Sequence, residues 1–250
     1  MTPEILYEDN HIIVVNKPAG MLSQGDSSGD ESLLDVLKQY VKEKYSKEGE
    51  AFMGLVHRLD RPVSGVMVFA RTSKAARRLH SEIISGNMQK FYLAVVEKEM
   101  SMDNKWHRLE NFLRRERDIT KVAVKESIDT QRADLNYITI SSSKDFSKEF
   151  SLLLIKLGTG RKHQIRAQFS AIDAPIAGDK KYGSDSEYKN SILLCSVFLS
   201  FTHPTLKERM EFYSPPPDIF GRVVQYDPES LKEEIIGIIN DTGNQALVSK

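Results

Sequence analysis

The 250 residues are 40% hydrophobic and 28% charged, with Lys+Arg and Asp+Glu balanced at 35 each, a globular composition that excludes disordered and collagenous classes. The longest apolar runs, such as Ile192 to Phe201, contain serine and fall well short of the ~20 residues that span a bilayer, and the N-terminus lacks the layout of a signal peptide. A lone cysteine, Cys195, cannot form an internal disulfide and points to a reducing, cytoplasmic setting without membrane contact.

A strand over about 5–8, a turn at Glu8 to Asn10 and a second strand stopped by Pro18 open the chain. Gly20 to Asp30 is rich in Gly, Ser and Asp and reads as a loop. Ser32 then caps a helix whose apolar residues Leu33, Leu34, Leu37, Val41 and Tyr45 recur at helical spacing. A strand at Gly65 to Arg71 leads to a second helix, begun by Thr72 or Ser73 and ended by Gly86. Strands follow at 91–97, 119–126, 133–141, 150–157, 192–201 and 209–214, interrupted by one helix at about 163–172, and a helical tail occupies about 229–239. With no repeat and no dividing linker, the pattern predicts one α+β domain, a mainly antiparallel mixed sheet flanked by helices and loops. Its boundaries are 1–227, with 228–250 as the tail.

Charge is segregated along the chain. Segment 57–80 carries six basic residues against Asp60 alone, and 105–125 carries seven against three acids, while both ends are acidic. That distribution fits a localised polyanion-binding face as well as it fits ordinary solvated surfaces. The densest stretch is His57-Arg58-Leu59-Asp60-Arg61-Pro62-Val63-Ser64-Gly65. Flanking guanidiniums favour an ionised Asp60, which is then either an ion-pair partner holding a turn or a nucleophile or base. Metal binding by His57 and Asp60 is opposed by cations on both sides. In Gly158-Thr159-Gly160-Arg161-Lys162-His163-Gln164-Ile165-Arg166 two glycines precede a helix, which leaves backbone N–H groups and two cations free for an anion. On that helix His163, Arg166, Ala167 and Ser170 share a face, so Arg166 can point inward while Arg161 stays at the mouth. Tyr92 alternates with Ala94 and Val96 on one face of its strand, a position that core packing alone explains.

Taken together and in order, ILYEDNHIIVVNKPAGMLS, HRLDRPVSGVMVFARTSKAARRLH with KFYLAVV, GTGRKHQIRAQFSAIDAPIAGDKKYG and LLCSVFLSFTHPTLKERMEFYSPPP closely resemble the RluA-type family of RNA pseudouridine synthases, over about residues 5–217. The resemblance implies the pseudouridine synthase fold and isomerisation of uridine in structured ribosomal or transfer RNA, without cofactor or metal. It places Asp60 on the essential aspartate, Tyr92 on the active-site tyrosine beside the target base, and Arg166 on the arginine that pairs with the aspartate. It matches Arg58 to an arginine that contacts RNA, with Arg61 at a more variable position, and RNA contacts are expected at Lys17, His57, Arg58, Arg61, Arg161, Lys162, His163 and Gln164.

The reaction breaks the bond from ribose C1′ to uracil N1, turns the base and rejoins it through C5. Asp60 would attack C1′ to give an ester or remove the C2′ proton to give a glycal, and the sequence leaves both open. The nucleotide must be extruded from its stack. Three positions depart from the family pattern: Val63 stands before the motif serine, Cys195 replaces a histidine, and Gln168 stands where histidine is frequent. The first strand starts the chain where many relatives carry an S4-like domain, so RNA contacts are expected from the catalytic domain, acting as a monomer. Segment 101–125, which mixes Trp106 and Phe112 with Arg114, Arg115 and Arg117, is either a stem-loop contact or an ordinary exposed hairpin. An idle RNA-binding protein of the same fold is the alternative function. A sugar hydrolase is disfavoured because no second carboxylate accompanies the motif.

Overall fold

The computed structural model describes residues 3–46, 48–145, 148–188 and 191–248. The chain opens on β1 (Glu4–Glu8) and β2 (Ile12–Lys17), and after a loop forms α1 (Leu33–Lys44). Ser32 and Asp35 make a reciprocal capping box at the start of α1, a device worth ~1 kcal/mol. Leu33, Leu37 and Val41 are buried on one face of that helix, each contributing ~1.5–3 kcal/mol. The two-residue strand β3 (Gly54–Leu55) precedes β4 (Ser64–Ala70), then α2 (Ser73–Ile84), capped by the Thr72 side chain, and β5 (Gln89–Val96). Four strands follow: β6 (His107–Glu116), β7 (Ile119–Ala123), β8 (Thr130–Asp145) and β9 (Lys148–Leu157). The short α3 (Gln164–Ser170) and a 3-10 turn at Lys180–Tyr182 lead to β10 (Leu194–Thr202), β11 (Arg209–Tyr213), α4 (Ile219–Val223) and α5 (Pro228–Val248).

Among the described residues, eleven strands form one mixed sheet in the order β1-β2-β4-β10-β5-β9-β8-β6-β7, with β11 on β10 and β3 on β4. Every pairing of these strands is antiparallel except β4 with β10. At that parallel contact Gly65 has φ +121°, and a Cβ there would overlap the Ser196 carbonyl, so only glycine allows the two backbones to meet. Strand alternation sorts the core. Tyr92, Ala94 and Val96 face α1 and α3, whereas Phe91, Leu93 and Val95 face α5 through Leu231, Ile235 and Ile239. A third cluster packs Ala75 and Leu79 of α2 against Ile12, Val14, Val66 and Val68.

The expected α+β architecture is present, with three local differences. Segment 101–125 is more than an exposed hairpin: β6 pairs along most of its length with β8 and so extends the main sheet. The C-terminal helix runs to Val248, beyond the expected end. His163 has left-handed φ 52° and caps α3 from outside, which moves the helix start to Gln164.

Candidate active site

Asp60 sits in the loop between β3 and β4, and that loop is clamped from below. The segment after β2 supplies the clamp: the Ser23 hydroxyl donates to Leu59 O and accepts from Leu59 N–H, and Gly20 N–H donates to Arg61 O. Lys17 Nζ donates to Pro18 O, Met21 O and Arg61 O at 3.0, 2.7 and 3.3 Å. Burial pushes the Lys17 amine down to about 7, against the opposing pull of the Asp60 charge. Asp60 is thus held by backbone contacts on both of its neighbours, with its carboxylate turned into a cavity of about 730 Å³.

Across the cavity floor, α3 delivers Arg166. Its Nη1 donates to Asp60 Oδ2 at 3.0 Å, and its Nε and Nη2 grip both oxygens of Asp179 at 2.6 and 2.9 Å. The guanidinium also lies over the Tyr182 ring, 4.8 Å from its centre. Burial disfavours this charge, but Asp179 and Asp60 outweigh burial and the guanidinium pKa is raised. The α3 face expected from the sequence converges on Tyr182. The His163 ring meets its hydroxyl, Ala167 packs beside it, and Ser170 donates to its carbonyl. Tyr92 projects from β5 into the same cavity, and its phenol is pushed up by burial and then by Asp60.

The residues expected to touch RNA divide into two groups. Arg58, Arg61, Arg161 and Lys162 line the cavity with exposed side chains, although Arg61 is paired with Asp30 at 2.7 Å. Lys17 is fully buried and has no surface to offer RNA, so its role is that of the clamp. Gln164 is also buried: its Oε1 accepts from Thr159 Oγ1 and Arg161 N–H, and its Nε2 donates to Asp134 O. That amide shapes the glycine turn from inside the cavity wall. The same turn is less open to anions than its glycines suggest, because Gly158 and Thr159 N–H donate to Asp134 O. His57 accepts Val68 N–H on Nε2, while burial and then Lys90 push it down to about 3, so it is a neutral wall of the cavity. His163 turns its ring toward Asp60 and Tyr182.

The cation beside Asp60 is therefore Arg166, 106 positions away in sequence, and not a flanking arginine. Sequence reasoning missed Asp179, Tyr182 and Lys90 as site components. Asp179 and Tyr182 fall inside GDKKYG, but their partners are set by tertiary contact. Lys90 shares the strand face of Tyr92, and that periodicity could have found it. Arg115, from the β6–β7 hairpin, reaches the cavity rim. Neighbouring bases of the hairpin are engaged in ion pairs, Arg114 and Lys121 with Glu116.

Residues 11–171 match the RNA pseudouridylate synthase family. The chain is 32% identical over 235 residues to an uncharacterized RNA pseudouridine synthase of Aquifex aeolicus, covering 89% of this chain and 72% of that one. It is 32% identical over 234 residues to ribosomal large subunit pseudouridine synthase C of Escherichia coli K12, covering 88% and 69%. The structure resembles human RNA pseudouridylate synthase domain containing 4 with a TM-score of 0.72 at 24% identity, over 87% of this chain and 90% of that one, a likeness of fold. Motif order, sheet and relatives converge: the chain belongs to the RluA-type family of RNA pseudouridine synthases and is an isomerase of that class.

Proposed function

We propose that the protein isomerises uridine in structured ribosomal RNA, with Asp60 as the reacting carboxylate, Tyr92 against the target base and Arg166 holding Asp60 in place. The observation that carries this reading is the Asp60 carboxylate, fixed through Oδ2 by Arg166 and facing a cavity walled by Tyr92. Oδ1 is then the oxygen left for the sugar. In the ester route it bonds to C1′ while the C1′–N1 electron pair leaves with uracil. The base turns, C5 attacks C1′ and displaces the carboxylate, and the C5 proton is lost as N1 gains one. In the glycal route the same oxygen removes the C2′ proton instead.

The extruded nucleotide places phosphates at the mouth of the cavity, where Arg58, Arg115, Arg161 and Lys162 supply cations. Ribosomal RNA is favoured because several relatives are named for the ribosomal large subunit. The test is pseudouridine mapping of ribosomal and transfer RNA in a deletion strain complemented by wild type or by Asp60→Ala. A site restored by wild type alone establishes the activity and names the RNA. A site confined to transfer RNA moves the substrate class, and no change at any site refutes the proposal.

A further inference from the structure

The His163 side chain makes no cap hydrogen bond to α3, although the residue occupies left-handed backbone at φ 52°. That conformation is sterically costly for a non-glycine residue and persists only where its surroundings hold it. Here it throws the imidazole out of the helix path, between Tyr182 and Asp60. Thr120 N–H donates to the Tyr182 hydroxyl at 2.8 Å, which leaves the phenolic proton free for the other neighbour, His163 Nδ1, also at 2.8 Å. A neutral imidazole that accepts on Nδ1 carries its proton on Nε2. Nε2 lies 3.7 Å from Asp60 Oδ2, the oxygen already held by Arg166.

The ring is neutral because burial pushes it down to about 4; the Asp60 charge opposes this, while Arg166, Lys162 and Lys181 add to it. A neutral donor suits the task. A second full cation on the carboxylate would weaken it as a nucleophile or base, whereas an N–H bond fixes its rotation with less loss of reactivity. The separation of 3.7 Å is too long for a hydrogen bond, and distances of this kind tighten when substrate closes the site.

Resting on Asp60 as the reacting carboxylate, we propose that His163 is a positioning residue: in the RNA-bound enzyme its Nε2–H donates to Asp60 Oδ2, aims Oδ1 at the sugar, and owes its tautomer to Tyr182. This differs from the RNA contact that the sequence suggests for His163, and the two separate experimentally. The probe is in vitro transcribed large-subunit ribosomal RNA, with pseudouridine formation followed under single turnover at saturating enzyme and the dissociation constant measured by filter binding across a salt series. His163→Asn suits left-handed backbone and can still reach Tyr182, but it is too short for Asp60. His163→Gln can place an N–H near Asp60.

The expected result is a saturated rate about ten- to a hundred-fold lower for His163→Asn, affinity and salt slope within about two-fold of wild type, and rate largely rescued by His163→Gln. Tyr182→Phe, which lets the proton settle on Nδ1, lowers the saturated rate in the same way. Equal losses in the Asn and Gln variants overturn the proposal, as does weakened binding with an unchanged saturated rate or a full rate in Tyr182→Phe. Absence of pseudouridine with wild type and every transcript tested is a different failure, that of the functional reading itself.

Discussion

Arg166 lies between two carboxylates that differ in what they do for the fold, and this makes their removal unequal. Asp179 is 1% exposed and accepts two charge-assisted bonds from Arg166. Asp60 accepts one and has a side chain 27% exposed. In Asp179→Asn an amide N–H group faces a guanidinium N–H group, and a buried cation loses its closest counter-charge. Breaking such a pair costs ~3–5 kcal/mol. Since Asp60 remains beside Arg166, the lower end, about 3 kcal/mol, is expected. At the ~2–4 °C per kcal/mol typical of a chain this size, Tm falls by roughly 6–12 °C. Asp60→Asn keeps an oxygen for Arg166 and leaves the Asp179 clasp intact, so its cost is about 1 kcal/mol or less by the ordinary worth of one hydrogen bond, while product formation is abolished. The double variant strips both charges from Arg166 and falls further than the two single effects added, because the two sites share one partner. Urea unfolding monitored by fluorescence and circular dichroism measures all three. If Asp60→Asn destabilises as much as Asp179→Asn, or if the double variant is additive, the division between a structural and a reacting carboxylate is wrong.

Gly65→Ala should leave little folded protein, since a methyl group there meets the Ser196 backbone at a positive φ; soluble yield and Tm report it, and wild-type values would refute the close-approach argument. Charge removal at Arg58, Arg161 or Lys162 should lower the salt slope of RNA binding by about 0.7–0.9 for each phosphate no longer neutralised. Lys17→Met should leave that slope unchanged and lower activity through the Asp60 loop; a reduced slope there would contradict the clamp. His163 has a folded pKa of about 4, below its ordinary 6.5. The unfolded chain therefore binds the proton first as pH falls, and stability declines between about 6.5 and 4 and is unaffected above that window, to the extent of ~2 kcal/mol by pH 5. Urea unfolding at pH 7 and pH 5 should show a smaller decline in His163→Asn than in wild type, and equal declines would sink that assignment.

Elements fixed by local chemistry could be read from the chain. Ser32 and Thr72 cap the two long helices of the N-terminal half, and Ile12 to Val15 and Val66 to Phe69 sort their side chains to the two sheet faces as strand alternation requires. β6 was hidden because His107 to Glu116 lies toward the sheet edge and is dotted with charges on both faces, which blurs the alternation. The site was half legible for a related reason. Asp60 and Arg166 stand in segments whose composition is unusual and Tyr92 was reached only through the family resemblance, whereas Asp179 is defined only by Arg166 and the fold that brings them together. Lys17 and Gln164 are the instructive cases, because both side chains are buried. A lysine or glutamine after a strand or a glycine turn normally faces water, and both are buried here because three carbonyls take up the Lys17 ammonium and the Gln164 amide bonds Thr159, Arg161 and Asp134.

Asp179 also bears on why this site should isomerise and not hydrolyse. Cleavage of a glycosidic bond by water uses two carboxylates, one of them free to activate the water or to protonate the leaving group. A second carboxylate does stand near Asp60, which its motif alone does not reveal, but both its oxygens are bonded to Arg166 and almost none of its surface is accessible. It has neither the freedom nor the exposure to activate water. In the proposed reaction Asp60 itself is occupied with the sugar while the bond is broken. Among the described residues lining the cavity, the one other carboxylate is Asp26, on the exposed loop after β2. On that proposal, uracil held against Tyr92 is the nucleophile closest to C1′, and its C5 completes the exchange. The expected product of a single turnover is pseudouridine without free uracil, read by chromatography of the digested RNA together with the supernatant. Uracil released in amounts comparable to pseudouridine would show that water reaches C1′ and that sequestering Asp179 does not protect the intermediate.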